Sequence, residues 1–466
     1  MCFAAICTDF FLFMLCFLVS RYLPHERGFE KFLGYMGPGH GYYDFSAGSD
    51  QEKRDMLEGQ NHYDESTGDW TDPTWTEGID YLGTYDTQLY LDRSATYIRE
   101  HAKKYLGGDD SDYRPFFLWS AQHGIHSEMD SEPEPPVHML TAEDKKFLEY
   151  LDTTNVDDND EDHKVFLRMR KLTASVLMSI DYSLRNLVQE LEKADMLRNS
   201  VILVNSDNGG DTVYTKGHPG NNFPLRSEKF SYFEGGIRVP AFVYAPWVRD
   251  FETKHGGTEF HGLMHHVDLL TTFVALGGGK LSHEENGLDG YNMWPAILGS
   301  ADAPRDELVL NMPRNRAWTP GERMTDEGVA LRMGHYKLLL NHVTDGWFSP
   351  AVNSEFWTLA ADMQALPCMY NFYKSGSYDN GCNYAGFLFN VVDDPTEKHN
   401  LIGREDQKER VASMITRAKE IIGADLPNYG KIVYEFYKDP ADSETIQAAF
   451  NAHNDFAVPW ACDVIP

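Results

Sequence analysis

The segment from Val201 to Pro246 constrains the fold of this chain more than any other. It opens with the apolar, β-branched run VILV, which predicts a buried strand. The strand ends at Asp207-Asn208-Gly209-Gly210, and a second apolar run follows Gly235-Gly236. An acid and an amide at the carboxyl end of a buried strand lie where open α/β sheets bind their ligands. The sequence therefore predicts a ligand site directly after this strand.

The segments on either side alternate between helical and extended patterns. Val165–Leu197 carries apolar side chains along one helical face and leads into the strand at Val201–Asn205. Pro240–Tyr244 is predicted to be another strand, and Leu263–Leu276 another helix. Because such alternation is typical of βαβ units, it predicts an α/β fold with a mostly parallel sheet sandwiched by helices.

The first third of the chain has weaker patterns. Leu89–Tyr105 has helical spacing, and FFLWSAQHGIH, which follows Pro115, predicts a strand that ends in a polar cluster. The rest of residues 21 to about 100 is rich in Gly, Tyr and Asp, and we expect loops and short helices there. The acidic stretch Ser127–Lys164 invites a calcium interpretation, but it lacks the glycine and glutamate of an EF-hand loop, so an exposed loop is preferred.

The pattern changes after about Pro304. Gly328–Leu340 predicts two short strands around a turn, Phe387–Val392 a further strand and Val411–Ile422 a helix. This order predicts a small antiparallel sheet with one packed helix. We therefore expect three parts: residues 1–20, 21–305 and 306–466.

Charge and cysteine content exclude several classes of protein. The 466 residues carry a net charge of −31, which argues against nucleic acid or an anionic membrane as a partner. Six cysteines are too few for a disulfide scaffold, although Cys368 and Cys382 could pair in a secreted protein. No spacing of cysteines and histidines typical of a zinc site is present.

Residues 1–20 form an apolar leader with three possible interpretations. The run Phe10–Val19 is too short to span a membrane comfortably, so no stable membrane span is expected. It has the length of a signal-peptide core, but no positive segment precedes it and Asp9 lies beside it. A poor signal peptide, a short buried helix and translated non-coding sequence remain alternatives.

Asp207 and Asn208 are the first candidates for chemistry. They offer two hard oxygen donors, which suit calcium or magnesium better than zinc. Considered alone, the four residues Asp-Asn-Gly-Gly would be interpreted as an ordinary turn that ends a strand.

The residues between Asp207 and Pro240 resemble the sulfatase family, and within it arylsulfatase B-like enzymes. GNNFPLR, Lys229 and YFEGGIRVP follow the order and spacing of that family. The resemblance implies an alkaline phosphatase-like α/β fold. It also implies that Asp207 and Asn208 bind Ca²⁺ as the cofactor, and that Lys229 contacts the sulfate of a sulfate ester substrate. Considered alone, Lys229 would be interpreted as a solvated surface lysine.

The strand after Pro115 resembles a family strand that ends in a functional histidine. The resemblance gives His126 the role of a hydrogen-bond partner of the sulfate or of the leaving oxygen, which makes His126 and Lys229 the candidate catalytic residues. The family's proline two residues after this histidine is replaced here by Glu128, and His123 competes for the role.

Further segments extend the resemblance from about residue 21 to the end of the chain. On this basis residues 21–305 are the sulfatase catalytic domain without its amino-terminal part, and residues 306–466 are the carboxyl-terminal subdomain. The segments are LPHERGF (Leu23–Phe29), HHVDL (His265–Leu269), LDG (Leu288–Gly290), FNVVDDPTE (Phe389–Glu397) and the pair Asn400-Leu401.

The amino-terminal motifs of a complete family member do not occur in the sequence. It contains no Cys-x-Pro-x-Arg, the motif whose cysteine is oxidised to the formylglycine nucleophile, no Asp-Asp calcium pair and no Gly-Lys-Trp-His-Leu-Gly. We therefore expect a sheet without one of its central strands, a calcium site with two of its usual 6–8 oxygen ligands, and incomplete catalytic machinery.

Three hypotheses account for this combination. The first, which we prefer, is a calcium-dependent hydrolase of sulfate esters whose recorded sequence is incomplete, as the join at Ser20-Arg21 suggests. The second is a non-catalytic sulfatase-like protein that binds sulfated glycans or a protein partner. The third is a metal-dependent phosphodiesterase or phosphatase, which needs a nucleophile and metal ligands that the sequence does not offer. A sulfated polysaccharide and a small aryl ester remain alternative substrates; the compartment is left open, although the family is mostly secreted, lysosomal or periplasmic.

Overall fold

The computed structural model describes most of the chain. The described residues are 2–7, 24, 28–35, 40–47, 50–60, 63–64, 69–70, 74–106, 114–126, 134–153, 161–211, 220–229, 231–248, 259–281, 287–312, 329–343 and 384–421. The apolar run Phe10–Val19 and the cysteines Cys368 and Cys382 lie outside these residues.

The strands are numbered in chain order. They are β1 (Cys2–Cys7), β2 (Lys31–Gly34), β3 (Ser46–Ala47), β4 (Asp50–Arg54), β5 (Leu57–Gln60), β6 (Tyr63–Asp64), β7 (Asp69–Trp70), β8 (Thr74–Glu77), β9 (Phe116–Ser120), β10 (Ser200–Asn205), β11 (Ala241–Tyr244), β12 (Glu307–Asn311), β13 (Val329–Met333), β14 (Tyr336–Val343) and β15 (Tyr384–Asn390).

The helices are numbered in the same way. They are α1 (Asp86–Tyr105), α2 (Ala142–Thr153), α3 (Glu161–Lys193), α4 (Glu234–Ile237), α5 (Asp268–Leu276), α6 (Trp294–Ile297) and α7 (408–421), with short 3₁₀ turns at Gly78–Tyr81, Val137–Met139, Leu197–Asn199 and Glu405–Gln407.

The main sheet has the strand order β11-β10-β1-β9. Strands β9, β1 and β10 are parallel, whereas β11 pairs with β10 in the antiparallel direction. The mostly parallel sheet is therefore confirmed for the described strands, with an antiparallel edge that the sequence did not predict. A parallel pair needs a crossover connection, usually a helix, and the described residues between β10 and β11 (206–211, 220–229 and 231–240) include one helix, the four-residue α4.

Strand β1 lies between β9 and β10 in the middle of the main sheet. Cys2 is level with Phe116 on one side and with Ser200 on the other. Part of the segment interpreted as a leader therefore forms a central strand of the sheet, which the sequence did not predict.

Helices cover both faces of the sheet because successive residues of β10 point in opposite directions. Ile202 packs with residues of α1 and α3, such as Ile98 and Leu187. Its neighbours Val201 and Leu203 pack on the other face with Leu269, Phe273 and Leu276 of α5. The predicted sandwich of sheet and helices is confirmed by this alternation.

The segment before α1 differs from its prediction. In place of loops and short helices, β2, β5 and β8 form a three-stranded antiparallel sheet, and two further pairs of short strands lie between them. These strands have two to five residues and polar sequences such as LEGQ. Runs so short do not show the apolar–polar alternation by which a strand is predicted.

The carboxyl-terminal sheet follows the prediction closely. Strands β12 to β15 are paired in chain order, all antiparallel, and β13 and β14 are joined by a turn at Gly334, whose φ is 54°. Met414 and Ala418 of α7 pack on one face with Leu331. Phe233 packs on the other face. The described part of the chain includes no helix long and apolar enough to cross a membrane.

Candidate functional site

The candidate residues follow two strands whose carboxyl ends lie at the same edge of the sheet. Strands β9 and β10 are both parallel neighbours of β1, so they are two strand positions apart, or about 10 Å at the usual spacing. His126 follows β9, and Asp207 follows β10. The sequence-predicted residues therefore leave the sheet at one edge, where ligands of α/β proteins bind.

The loop after β10 holds Asp207 and Asn208 half-buried. The backbone N–H of Asn208 donates to Oδ1 of Asp207 at 2.8 Å, and the hydroxyl of Ser206 donates to the carbonyl of Asn208 at 3.0 Å. A carboxylate and an amide in such a tight turn offer the hard oxygen donors that calcium prefers. These two residues fit part of a calcium site, because calcium takes 6–8 oxygen ligands.

Gly209 allows this loop to pack against the backbone of α4. Its N–H donates to the carbonyl of Gly236 at 2.9 Å, and a Cβ at Gly209 would lie 1.7 Å from the carbonyl oxygen of Gly235. Only glycine fits in this space. The two glycine pairs that sequence analysis noted are therefore in direct contact.

Lys229 lies beside the same loop. Its backbone N–H donates to the carbonyl of Gly210 at 3.1 Å, and its side chain is half-buried. Burial lowers the pKa of Lys229, while the negative charges of Asp207 and Asp211 act in the opposite direction. The structure thus brings the predicted metal ligand Asp207 and the predicted sulfate contact Lys229 close together, and the side chain of Lys229 is half-buried rather than fully solvated.

Asn222 is a positioning residue that the sequence analysis did not single out. Its side-chain oxygen accepts from the N–H of Gly210, and its side-chain nitrogen donates to the carbonyl of Gly210, both at 2.8 Å. A peptide-like pair of hydrogen bonds therefore fixes the backbone between Asp207 and Lys229. The signal was available, because Asn222 belongs to the GNNFPLR segment.

His126 is half-buried in a loop that is tied to the protein interior. Its N–H donates to the carbonyl of His123 at 3.0 Å, and its own carbonyl accepts from the hydroxyl of Tyr42 at 2.6 Å. The two histidine rings have centroids 5.8 Å apart. The role of His126 in binding sulfate or protonating the leaving oxygen stays a prediction.

His123, the competing candidate, is buried and belongs to a second cluster. Its Nδ1 lies 2.8 Å from Oδ2 of Asp86, and Nε2 of His40 lies 3.7 Å from the same oxygen. One ligand atom from each of these three buried residues lies within 4.8 Å of the others, so the three residues could hold a metal ion. This cluster was not predicted from the sequence because its members come from three distant segments.

His265 and His266 lie close to the end of β10. Nε2 of His266 is 2.8 Å from the side-chain nitrogen of Asn205 and 3.1 Å from the carbonyl oxygen of Ser206. Burial lowers the pKa of His265 to about 4, and the neighbouring His266 acts in the same direction. In the same motif, Asp268 is fully buried and accepts from Nε of Arg305 at 3.0 Å. The motif therefore supports the loop that carries Asp207.

Comparisons with known proteins agree with this geometry. The family model described as Sulfatase matches residues 24–279. Arylsulfatase J from Mus musculus is 27% identical over 393 residues, which cover 82% of this chain and 54% of that protein. Arylsulfatase A from Bos taurus is 28% identical over 312 residues, or 67% of this chain and 49% of that protein. The chain thus spans about half the length of these curated relatives.

A solved structure shows the same fold. The crystal structure of Ps i-CgsB in complex with k-i-k-neocarrahexaose superposes with a TM-score of 0.54 at 21% identity, covering 91% of this chain and 72% of that chain. The fold is therefore the alkaline phosphatase-like α/β fold of sulfatases, with a small antiparallel sheet near the carboxyl end.

The match to the family model covers more than half of the 466 residues and includes both strands that carry the candidate site. It also includes Asp207, Asn208, Lys229 and His126. This chain belongs to the sulfatase family.

Proposed function

We propose that this protein hydrolyses sulfate esters, with Ca²⁺ bound at Asp207 and Asn208 and with Lys229 and His126 acting on the sulfate group. The arylsulfatase B-like character, and a catalytic domain over residues 21–305 followed by a subdomain over 306–466, are part of this proposal. The observation that supports it best is the proximity of the half-buried Lys229 to the Asp207 carboxylate at the ligand-binding edge of the sheet.

Lys229 has the properties of an anion-binding group. Burial lowers its pKa because the charged ammonium loses hydration, and nearby carboxylates only partly offset this loss. A sulfate oxygen could accept a charge-assisted hydrogen bond from this ammonium group. Its position therefore favours an anionic ligand despite the negative charge of the whole chain.

Asp207 and Asn208 would hold the calcium ion that the family resemblance implies. When bound, the ion would withdraw electron density from the sulfuryl oxygens. Asp207 would supply a charged oxygen and Asn208 a neutral one, and the backbone N–H of Asn208 orients the Asp207 carboxylate by donating to its Oδ1 at 2.8 Å. Gly209 and Asn222 would keep this pair next to Lys229.

His126 would hold the proton that the departing alcohol needs. It follows β9, while the calcium and sulfate contacts follow β10 at the same edge of the sheet. The backbone N–H of His126 donates to His123 and its carbonyl accepts from Tyr42, which fixes the point from which the side chain extends. We assign the nucleophilic step to no residue of this sequence, because it contains no Cys-x-Pro-x-Arg motif.

The test compares a sulfated sugar with the same sugar without sulfate. We expect the chain, in the presence of calcium, to bind N-acetylglucosamine 6-sulfate in calorimetry at least about 10-fold more tightly than N-acetylglucosamine, because a charge-assisted contact adds more than 1.4 kcal/mol. Lys229→Met should remove this preference. Lys193→Met changes an exposed lysine paired with Glu190 and is the matched control.

Release of inorganic sulfate decides between the two functions that the site can serve. Release from the sugar or from a small aryl sulfate supports the hydrolase. Sulfate-dependent binding without release supports a non-catalytic binder of sulfated glycans. Equal binding of sulfated and unsulfated sugar by the wild-type chain would contradict both.

A further inference from the structure

The strongest feature outside the proposed sulfate site is the buried cluster of His40, Asp86 and His123. His40 lies between β2 and β3, Asp86 is the first residue of α1, and His123 follows β9. His40 and Asp86 have no exposed surface, and His123 is 4% exposed. Three separate segments of the chain therefore place polar side chains next to one another in the protein interior.

The distances among the side chains suit a small metal ion. Oδ2 of Asp86 lies 2.8 Å from Nδ1 of His123 and 3.7 Å from Nε2 of His40. A four-coordinate zinc ion with bonds of about 2.0–2.1 Å separates its ligand atoms by roughly 3.3 Å. The two distances to Asp86 lie on either side of this value, and all three ligand atoms lie within 4.8 Å of one another, so small adjustments of the side chains would bring them around one ion.

The hydrogen bonds around the cluster orient its members as metal ligands are usually oriented. The hydroxyl of Thr87 donates to Oδ1 of Asp86 at 3.1 Å, as does its backbone N–H, so Oδ2 is the oxygen that faces the imidazoles. Nδ1 of His40 lies 2.9 Å from the carbonyl of Gly41, which can only accept, so Nδ1 carries the hydrogen. Nε2 of a neutral His40 then presents its lone pair, as in most metal-binding histidines.

Tyr90 also contacts the ring of His40. Its hydroxyl lies 3.1 Å from Nε2 of His40 and can donate to it in the absence of a metal. A bound ion would take over this lone pair, and the phenol would remain beside it. The contact is therefore compatible with both a filled and an empty cluster.

The types of ligand atom in the cluster determine which metal ion it prefers. Two imidazole nitrogens and one carboxylate oxygen suit zinc and similar first-row cations, whereas calcium prefers oxygen donors only. A buried carboxylate needs a compensating charge, which either a cation or a protonated histidine can supply. We propose that His40, Asp86 and His123 form a structural zinc site, separate from the calcium site proposed at Asp207 and Asn208.

The cluster lies next to the loop that carries His126, so a bound ion could stabilise that loop. The carbonyl of His123 accepts from the N–H of His126, and the ring of Tyr42 lies 4.4 Å from the His123 ring while its hydroxyl holds the carbonyl of His126. Zinc bound to His123 would fix the loop that carries His126. Because all three ligands are buried, we assign such an ion a structural role.

The experiment uses the full chain, freed of any affinity tag and stripped of metal with a chelator. Co²⁺ serves as the probe because its visible absorption is strong in four-coordinate sites and weak in water. We expect one Co²⁺ per chain with this absorption, and its displacement by one equivalent of Zn²⁺. Asp86→Asn, which retains the size of the side chain, and His123→Gln should each weaken binding by about 100-fold or more.

Two controls separate this site from others. His138→Gln changes an exposed histidine whose Nε2 contacts Gln88, and should retain the absorption. Asp207→Asn should also retain it, so failure of the proposed calcium site would leave this result unchanged. A folded wild-type chain that takes up no Co²⁺, or uptake that persists in both Asp86→Asn and His123→Gln, would overturn the proposal. In that event Asp86 is paired with a protonated histidine.

Discussion

The ammonium nitrogen of Lys337 lies 2.6 Å from a carboxylate oxygen of Glu397, and neither side chain has any exposed surface. The same nitrogen is 2.8 Å from Oε1 of Glu234. Glu234 belongs to the YFEGGIRVP segment near the candidate site, and Glu397 to the carboxyl-terminal signature. Lys337 therefore joins two sequence motifs that lie far apart in the chain, at the contact between α4 and the carboxyl-terminal sheet.

Replacing Lys337 with methionine should destabilise the protein strongly. Glu234 and Glu397 would remain buried without their cation, and removing one partner of a buried ion pair costs about 3–5 kcal/mol. Chemical denaturation at pH 7 measures this change. The control Lys193→Met removes an exposed pair with Glu190 and should cost less than about 1 kcal/mol. Similar stability of the two variants would show that the buried network is not important for the fold.

Gly209→Ala should disrupt the loop that carries Asp207. The new Cβ would lie 1.7 Å from the carbonyl oxygen of Gly235, so backbone must move at a cost of about 2 kcal/mol or more. Calcium affinity should fall with it. Gly403→Ala is the matched control, because a Cβ there meets nothing within 4 Å, and its stability should stay within about 0.5 kcal/mol of wild type. A stable Gly209→Ala with unchanged calcium affinity would contradict the packing described.

Protonation of His265 should make the protein less stable as the pH falls below about 6.5. Its pKa is about 4 in the folded protein, mainly because of burial, and near 6.5 when unfolded. The unfolded chain therefore binds the proton first, so the stabilisation is complete above pH 6.5 and is lost as the pH falls towards 4.

The full difference corresponds to about 3 kcal/mol. His265→Gln carries no titrating ring, and its free energy of unfolding should fall less than that of the wild type between pH 7 and pH 4. If the free energy of unfolding changes with pH in the same way in both proteins, His265 has the same pKa in the folded and unfolded states, which would contradict this prediction.

The sequence predicted the parts of the fold that have long, regular patterns. Helices α1 and α3, strands β9 and β10 and the carboxyl-terminal sheet are confirmed within a few residues. Strands β2 to β8 were missed because they are short and polar. The antiparallel orientation of β11 was missed because it depends on the path of the segment that connects β10 to β11. The residues of the strand itself do not encode this path.

The candidate site was predictable only where motif and strand end coincide. Asp207 and Lys229 were found from their place in the segment after β10, and the structure brings them together. The cluster of His40, Asp86 and His123 was not found, because its residues are widely separated and no local spacing marks them. Asp86 and His123 come together only because α1 packs against β9, and this packing is visible only in the structure.

The most direct test of the central claim is whether calcium controls the binding of a sulfate ester at Asp207 and Lys229. Calorimetry with N-acetylglucosamine 6-sulfate would be run with calcium and with a calcium chelator, on the wild-type chain and on Asp207→Asn. We predict that chelation weakens binding by the wild type at least about 10-fold, because a charged contact is lost, and has little effect on Asp207→Asn. Equal affinity of the wild-type chain with and without calcium would contradict the proposed site.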